Sequence, residues 1–383
     1  MPGKILKVGQ LGSFIGNVGD IVNHESFRIW FEFVLGSKIK WQNFEIRDCY
    51  RGKKKLNPDF IEFANKQDLV VIGGGNFFEL WPENSCNGTS IDLSYMDLKA
   101  IECPVFFNSL GVDGGQGVGN QAQKNFKNFF NEIANDDQFF ISVRNDGSIA
   151  QLQEMGISTA RIKCLPDAAF FYKGSDQRSP RSDMSIAINI AINIAMDMPH
   201  IRYKDGTGEH FLDSIAEVLK ELSSSNRHLQ FTLVPHIYSD LIFITRLLER
   251  LPEQIVREKI TVERYDASVL GAREIARTYA TCNLVIAQRF HANVIPIALG
   301  TPVIGLDSYP QIWNLYHEIA NQENSLKIDA DNFSSNLIQK ASLILQNPNP
   351  IIDLQNSVVT KLERERYEVG RELVSWLSGR LNA

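Results

Sequence analysis

The sequence predicts an α/β protein in which two doubly wound, Rossmann-like domains face a cleft and a C-terminal amphipathic helix follows. Three observations lead to this fold class. The chain has 383 residues, which is enough for two domains of roughly 150–200 residues each. Short apolar runs alternate with amphipathic stretches along most of the chain. A polar segment without periodicity interrupts this alternation near the middle.

The apolar runs of the first half predict strands of a buried parallel sheet. Residues 4–8 form the first run and lead into a glycine-rich turn. Residues 69–72 are continuously apolar and end in three glycines, and residues 105–107 and 139–143 have the same character. Apolar runs of this length that end at glycine are typical of strands covered on both faces.

Amphipathic stretches between these runs predict the helices. Residues 22–35 form one, and apolar residues repeat at helical spacing through residues 126–133. A further helix is expected over residues 149–155, with Asp146 and Ser148 as candidate N-caps.

The polar break divides the chain into domains. In the second half, strands are predicted at residues 185–189, 231–234, 284–287 and 303–306. The predicted domains are an N-terminal Rossmann-like domain (1–172, the acceptor side), a linker (173–183), a C-terminal Rossmann-like domain (184–350, the anion side) and a C-terminal helix (351–383).

Composition excludes several classes of protein. Apolar residues make up 44% and charged residues 22% of the chain, which is ordinary for a globular protein. The net charge of −6 argues against a general nucleic-acid binder. The five cysteines show no C-x-x-C spacing, so neither a metal site nor a disulfide framework is expected. The start MPGKILKVGQLG lacks the apolar region of a signal peptide, and we therefore expect a cytoplasmic protein.

Candidate site residues follow the predicted strands, because ligands of open α/β sheets bind outside the carboxyl ends of the strands. After the first strand come Gly16, Asn17 and Asp20, where glycine permits close ligand approach and Asp20 can act as a base. The alternative is a tight turn in which Asp20 caps the helix.

Two more glycine-rich segments follow strands. Gly74, Gly75 and Asn76 end the second apolar run, and Gly111 and Gln116 lie in the next glycine-dense loop. Neither segment has the G-x-G-x-x-G pattern of a dinucleotide site. Each is interpreted as either a close backbone approach to a ligand or a plain turn.

The charged candidates lie after later strands. Arg144 can bind a carboxylate or phosphate through its planar guanidinium, or it can form an ion pair with Asp146 or Asp167. Asp167 can orient an arginine or accept a proton.

Arg289 and His291 form the strongest cluster, because they stand at a predicted helix N-terminus, where free amides favour a small polyanion. His236 follows another strand, and simple packing or capping is its alternative role.

Taken in order, these motifs resemble those of the polysaccharide pyruvyl transferase family over residues 5–315. The segments that carry the resemblance are Gly16-Asn17-Val18-Gly19-Asp20, Gly73-Gly74-Gly75, Ser109-Leu110-Gly111, Ser142-Val143-Arg144, Leu165-Pro166-Asp167, Arg289-Phe290-His291-Ala292 and the run from Gly300 to Gly305. The family is similar to GT-B glycosyltransferases in fold. This sequence departs from the family pattern at Asn145, Gln288 and Gln311, which bears on substrate identity and leaves a repurposed member open.

The resemblance implies a transferase that uses phosphoenolpyruvate as donor substrate and places its pyruvyl group on the hydroxyls of a sugar or glycan, with no further cofactor. It implies phosphate contact and general-acid chemistry for His291, anion binding for Arg144 and Arg289, and a base at Asp20 or Asp167. A lipid-linked acceptor would bring the protein to a membrane surface, and the oligomeric state stays open. The alternatives are a GT-B glycosyltransferase that uses a nucleotide sugar and a non-catalytic sugar- or anion-binding relative.

Overall fold

The computed structural model describes residues 5–174 and 187–381. Most of the segment interpreted as a linker, residues 173–183, and the beginning of the strand expected at 185–189 therefore lie outside the described residues. The chain divides into two compact units. Unit 1 holds the chain up to Phe14, Asn23–Ala168 and the residues from Leu362 onward, and unit 2 holds Ile15–Val22 and Ala169–Lys361. The domain boundaries and roles given above stay predictions.

Unit 1 is built on a six-stranded parallel sheet. Its strands are β1 (Leu6–Gly12), β2 (Ile39–Glu45), β3 (Leu69–Gly73), β4 (Phe78–Glu79), β5 (Val105–Leu110), β6 (Val112–Asp113), β7 (Phe139–Val143) and β8 (Lys163–Cys164). The main sheet has the order β2-β1-β3-β5-β7-β8, and β4 pairs with β6 in a separate small sheet. The chain changes direction across the sheet between β1 and β3, which is the switch point where α/β proteins bind ligands.

The apolar runs become the buried strands of this sheet. Every residue of β3 and of β7 is buried, as expected for strands with helices on both faces. Two expectations need correction. The first strand continues to Gly12, and β5 extends to Leu110 with β6 directly after it, so the glycine-dense loop expected around Gly111 is partly strand. The reason is that Leu110 still pairs with Val143 of the neighbouring strand.

Helices cover the sheet of unit 1. They are α1 (Val18–Leu35), α2 (Ile46–Tyr50), α3 (Ile61–Ala64), α4 (Tyr95–Lys99), α5 (Asn120–Ala134) and α6 (Ser148–Glu154). Helix α1 begins in unit 2 and continues from Asn23 in unit 1. The N-cap of α6 is Gly147 rather than Asp146 or Ser148, because the Ser148 hydroxyl donates to Asp146 and accepts the backbone N–H of Val112.

Unit 2 is built on a second six-stranded parallel sheet. Its strands are β9 (Ile188–Asn193), β10 (Leu229–Leu233), β11 (Ile260–Val262), β12 (Leu284–Ala287), β13 (Val303–Asp307) and β14 (Ser325–Lys327). Their order, β11-β10-β9-β12-β13-β14, is that of a Rossmann fold, with the switch point between β9 and β12.

The remaining helices follow in chain order. They are α7 (Pro199–Arg202), α8 (Glu209–Ser225), α9 (Asp240–Glu249), α10 (Glu253–Lys259), α11 (Val269–Thr281), α12 (Phe290–Ala298), α13 (Pro310–Glu318), α14 (Phe333–Gln346) and α15 (Asn349–Ser378). The tail helix α15 enters unit 1 at Leu362, where its apolar stripe of Val369, Leu373 and Leu377 is buried in the core. Among the described residues, no helix combines the length and the apolar character that a membrane span requires.

Candidate functional site

Candidate site residues lie at the carboxyl ends of the strands in both units. In unit 2 the structure places Gly16, Asn17, Asp20, His236, Arg289 and His291. In unit 1 it places Gly74, Gly75, Asn76, Gly111, Gln116, Arg144 and Asp167.

Asn17 caps helix α1. Its side-chain oxygen accepts the backbone N–H of Gly19 at 2.9 Å, which is the geometry of an N-cap. The sequence had left open a capping role for Asp20, and the structure gives the cap to Asn17 instead. Asp20 lies in the first turn of α1, where a carboxylate is stabilised by the helix dipole.

Two hydrogen bonds anchor the segment before α1 within unit 2. The backbone N–H of Val18 donates to the carbonyl of His236 at 3.1 Å, and the hydroxyl of Tyr265 donates to the carbonyl of Gly16 at 3.1 Å. These bonds fix the N-terminus of α1 against the loops that follow β10 and β11.

His291 and Asp20 lie close together. His291 is the second residue of α12 and is buried, and its Nδ1 lies 3.8 Å from an Asp20 carboxylate oxygen. Gly19 makes this approach possible, since a Cβ at Gly19 would lie 2.5 Å from His291 Nδ1. Gly19 was not among the predicted site residues, although it stands within the motif that carried them.

Arg289, the N-cap residue of α12, is held by two aspartates. Its Nε donates to Asp240 at 2.8 Å, and its Nη2 donates to Asp240 at 2.5 Å and to Asp197 at 2.6 Å. Asp240 is fully buried and also accepts the backbone N–H groups of His236 and Ile237. The planar guanidinium of Arg289 therefore organises the carboxyl end of the sheet.

The cationic and anionic side chains around Arg289 compensate one another. Arg202 adds a second cation at 3.1 Å from Asp197. Burial raises the pKa of Asp197, but Arg289 and Arg202 outweigh it and hold that pKa well below its usual value. Within the described part of the chain, the Nη1 of Arg289 has no hydrogen-bond partner, and its side chain is 11% exposed. The sequence missed both aspartates, although Asp197 and Asp240 follow strands as the other candidates do.

His236 is engaged inside unit 2. Its Nε2 lies 2.7 Å from the hydroxyl of Tyr279, and burial, followed by the charges of Arg289 and His291, holds its pKa well below the usual value. The imidazole is therefore neutral and packed, which is the alternative role that the sequence left open.

Gln288 joins the two strand ends at the switch point of unit 2. Its Oε1 accepts the backbone N–H of Ala195 at 2.7 Å, and its Nε2 donates to the hydroxyl of Tyr203 at 2.9 Å. The departure from the family pattern at this position thus has a structural role in this chain.

In unit 1, Arg144 is also held by two aspartates. Its guanidinium lies 2.7 Å from Asp146 and 3.5 Å from Asp167, and all three side chains are at most 2% exposed. The ion pairs that the sequence offered as an alternative are therefore both present.

Gly111 permits the close packing around this arginine. A Cβ at Gly111 would lie 2.6 Å from Arg144 Nη2 and would also collide with the Asn76 side chain. The backbone N–H of Gly111 donates to the carbonyl of Gly75 at 3.0 Å. Both glycines thus serve the packing of the loop ends.

Asp167 is fully buried and accepts hydrogen bonds from other parts of unit 1. The Asn23 side chain donates to it at 2.7 Å and lies 3.5 Å from the carbonyl of Gly74, and the backbone N–H of Asp167 donates to Asn145 at 3.0 Å. Asn145 therefore supports Asp167, which gives this departure from the family pattern a structural role as well.

The last two predicted residues lie beside a pair of carboxyl groups. Asn76 donates to Asp113 at 2.5 Å, and Gln116 donates to Glu79 at 3.2 Å. Burial and then the neighbouring Asp113 raise the pKa of Glu79 to about 7, against opposing hydrogen bonds. The sequence missed Glu79 because β4 has only two residues and no visible periodicity. Among the described residues, no group of three His, Cys, Asp or Glu side chains is arranged to hold a metal ion.

Two parallel sheets, each with candidate residues at the carboxyl ends of its strands, define a GT-B-like α/β protein, and solved structures share this fold. A proposed UDP-N-acetylglucosamine 2-epimerase from Listeria monocytogenes is 12% identical with a TM-score of 0.55, covering 92% of this chain and 91% of its own. The UDP-GlcNAc 2-epimerase of Neisseria meningitidis, solved with UDP-GlcNAc, is 10% identical with a TM-score of 0.53 over 94% and 100%. Anabaena HepE, solved with UDP and glucose, is 12% identical with a TM-score of 0.52 over 98% and 100%.

The sequence profile described as polysaccharide pyruvyl transferase matches residues 20–309. This match spans well over half of the chain, which therefore belongs to the polysaccharide pyruvyl transferase family. A comparison with curated protein sequences found no match. Family membership points to a transferase of polysaccharide modification.

Proposed function

We propose that this protein transfers the pyruvyl group of phosphoenolpyruvate to hydroxyl groups of a sugar or glycan, forms a ketal and releases phosphate. The observation that carries the proposal is the His291–Asp20 pair at the N-termini of α12 and α1, 3.8 Å apart. Family membership supplies the class of reaction.

The N-termini of α1 and α12 suit an anionic donor. The first-turn amides of a helix and its dipole favour phosphate or carboxylate, and the approach of Gly19 to His291 shows that the two ends adjoin. The Nη1 of Arg289 takes no part in the hydrogen bonds to Asp197 and Asp240, so Nη1 can donate a hydrogen bond to the same anion. The other N–H groups of the Arg289 guanidinium already donate to carboxylates. Few groups are therefore left to bind the anion.

Each of the two steps of ketal formation needs one proton to be delivered and one proton to be removed. A proton adds to the methylene carbon of phosphoenolpyruvate while the first sugar hydroxyl, losing its proton, bonds to C2. Phosphate then leaves with the electrons of its C–O bond, and a second hydroxyl attacks the oxocarbenium ion at C2 and loses its proton. The two hydroxyl protons end on the new methyl group and on phosphate.

In this scheme His291 contacts the phosphate and acts as general acid, and Asp20 orients or deprotonates the hydroxyl. Asp20 suits the role of base better than Asp167 does. Asp20 is partly exposed beside His291, whereas Asp167 is fully buried and engaged with Arg144 and Asn23. We assign Asp167 to positioning within unit 1.

The test is release of phosphate from phosphoenolpyruvate in the presence of a panel of glycan acceptors. His291→Gln and Asp20→Asn should each lower kcat about 10²–10⁴-fold, the usual contribution of general acid–base catalysis. His210→Gln is the matched control, because His210 is a highly exposed histidine of unit 2. It should retain full turnover, and all variants should keep the melting temperature of the original protein.

A second measurement separates this function from its alternatives. Phosphoenolpyruvate that binds the folded state raises the melting temperature by mass action. The rise should exceed that given by sulfate, phosphate or UDP-sugars. Protection by UDP-sugars alone would favour a glycosyltransferase, and protection by phosphoenolpyruvate without phosphate release would favour a non-catalytic relative.

A further inference from the structure

A second cluster of side chains lies in unit 1 around the small sheet of β4 and β6. These parallel strands place Glu79 directly beside Asp113 in register. Residues in register on neighbouring strands project from the same face of a sheet, so two carboxyl groups stand side by side. The transfer chemistry described above uses neither of them.

Amide groups complete the polar part of this cluster. Gln116 donates to Glu79 at 3.2 Å, and Asn76 donates to Asp113 at 2.5 Å. Side-chain amides and carboxyl groups together supply donors and acceptors in one small area. Sugar hydroxyls need this combination, because each hydroxyl both donates and accepts a hydrogen bond.

The carboxyl pair favours a neutral ligand over a cation. Burial and the Asp113 carboxylate raise the pKa of Glu79 to about 7, so the pair retains a proton over much of the range below neutral pH. A protonated carboxyl group can donate a hydrogen bond to a hydroxyl. A bound ammonium group would instead be favoured by ionised carboxyl groups.

Two exposed aromatic rings flank Glu79. Trp81 is 48% exposed and lies within hydrogen-bonding reach of the Glu79 carboxyl group. Tyr50 is 53% exposed, and its pKa is raised by burial of its hydroxyl and, to a lesser extent, by the neighbouring Glu79. Flat aromatic rings that are partly exposed to solvent are suited to stacking against the apolar face of a pyranose.

We propose that Tyr50, Trp81 and the Glu79–Asp113 pair form a carbohydrate subsite that binds a pyranose ring of the acceptor. The choice of a sugar as ligand rests on the proposed function. The subsite itself is defined by the aromatic rings and the paired carboxyl and amide groups of unit 1.

Saturation-transfer difference NMR on the full chain tests this subsite without phosphoenolpyruvate and without turnover. The probes are the methyl glycosides of galactose, glucose, mannose and N-acetylglucosamine, with choline chloride as a cationic probe. At least one glycoside should receive saturation at its ring protons. Trp81→Ala should lower its affinity about tenfold, as expected for loss of a stacking ring, and Trp81→Phe should retain most of it.

Trp313→Ala is the matched control, because Trp313 is 43% exposed and lies in unit 2. This variant should bind the glycoside as the original protein does, and circular dichroism should show the same fold for all three variants. The subsite is ruled out by any of three results: no glycoside binds, the Trp81→Ala protein binds as well as the original, or choline binds in place of the sugar. Because phosphate release is not measured, such a result leaves the proposed pyruvyl transfer standing on its own test.

Discussion

Arg144 of unit 1 and Arg289 of unit 2 occupy comparable places but differ in what they can do. Each follows a strand of a parallel sheet and is held by two aspartates. Arg144 and both of its partners are buried, whereas Arg289 is 11% exposed and its partner Asp197 is 29% exposed. A buried ion triad mainly organises the fold, since all its hydrogen-bonding capacity serves neighbours of the same unit. A triad that reaches the surface can also serve a ligand.

The two sheets differ in topology and still place their candidate residues alike. Unit 1 has its switch point between β1 and β3, and unit 2 has its switch point between β9 and β12. In both, candidate residues follow a strand beside the switch point: Asn76 follows β3 and Arg289 follows β12, where the carboxyl ends of parallel strands leave a crevice.

Arg144→Ala should give the largest loss of stability. Removing the guanidinium leaves Asp146 and Asp167 buried without their charge partner, which costs about 3–5 kcal/mol. Chemical denaturation followed by circular dichroism measures this loss. Arg161→Ala removes an exposed ion pair with Asp137 and should change the unfolding free energy by less than about 1 kcal/mol. Equal losses in both variants would contradict the structural role of Arg144.

Arg289→Lys should weaken phosphoenolpyruvate binding. A lysine can keep one ion pair with Asp240 or Asp197 but loses the free Nη1, so the loss should be about 1.5–3 kcal/mol, the value of a charge-assisted hydrogen bond. Isothermal titration calorimetry measures the affinity. Arg144→Lys is the comparison and should leave this affinity nearly unchanged. If the two lysine variants lose affinity equally, the proposed division between the arginines is wrong.

Gly19→Ala should lower both stability and turnover. The new Cβ would lie 2.5 Å from His291 Nδ1, so the imidazole has to move at a cost of about 1–3 kcal/mol. Melting temperature and phosphate release report the two effects. At Gly379 a Cβ meets nothing closer than 3.9 Å, and Gly379→Ala should therefore preserve turnover. Full turnover in Gly19→Ala would show that the close approach of Gly19 to His291 is not needed for catalysis.

Glu79→Gln should change stability by an amount that depends on pH. The folded protein holds the Glu79 proton up to a pKa of about 7, whereas the unfolded chain releases it near the ordinary value of 4.5. The folded state therefore binds more protons between pH 4.5 and 7, and stability falls as pH rises through this window. Glutamine removes that loss of up to about 3 kcal/mol and should raise the melting temperature at pH 8 by several degrees, with little change at pH 4.5. A rise of equal size at both pH values would show that the Glu79 proton is not the cause.

Most of the long elements were predictable from sequence. The runs at residues 69–72 and 139–143 are β3 and β7, because short, largely apolar runs are typical of strands covered on both faces. Short elements such as β4, β6 and β8 have two residues each and carry no periodic signal. Their formation depends on pairing with strands that are distant in sequence.

The fold class, the family and the segments that end at the sites could be predicted from the sequence, because strand-end motifs and apolar periodicity are local properties of the chain. Which charges are already paired depends on the tertiary structure. Asp197 and Asp240 lie 92 and 49 residues from Arg289, and Asp20 lies far along the chain from His291. Asp197 and Asp240 meet Arg289 only when β9, β10 and β12 assemble into one sheet and their carboxyl ends converge. The ligands that each arginine can still bind therefore depend on its burial and on its ion pairs. Neither property can be predicted from a single segment of the chain.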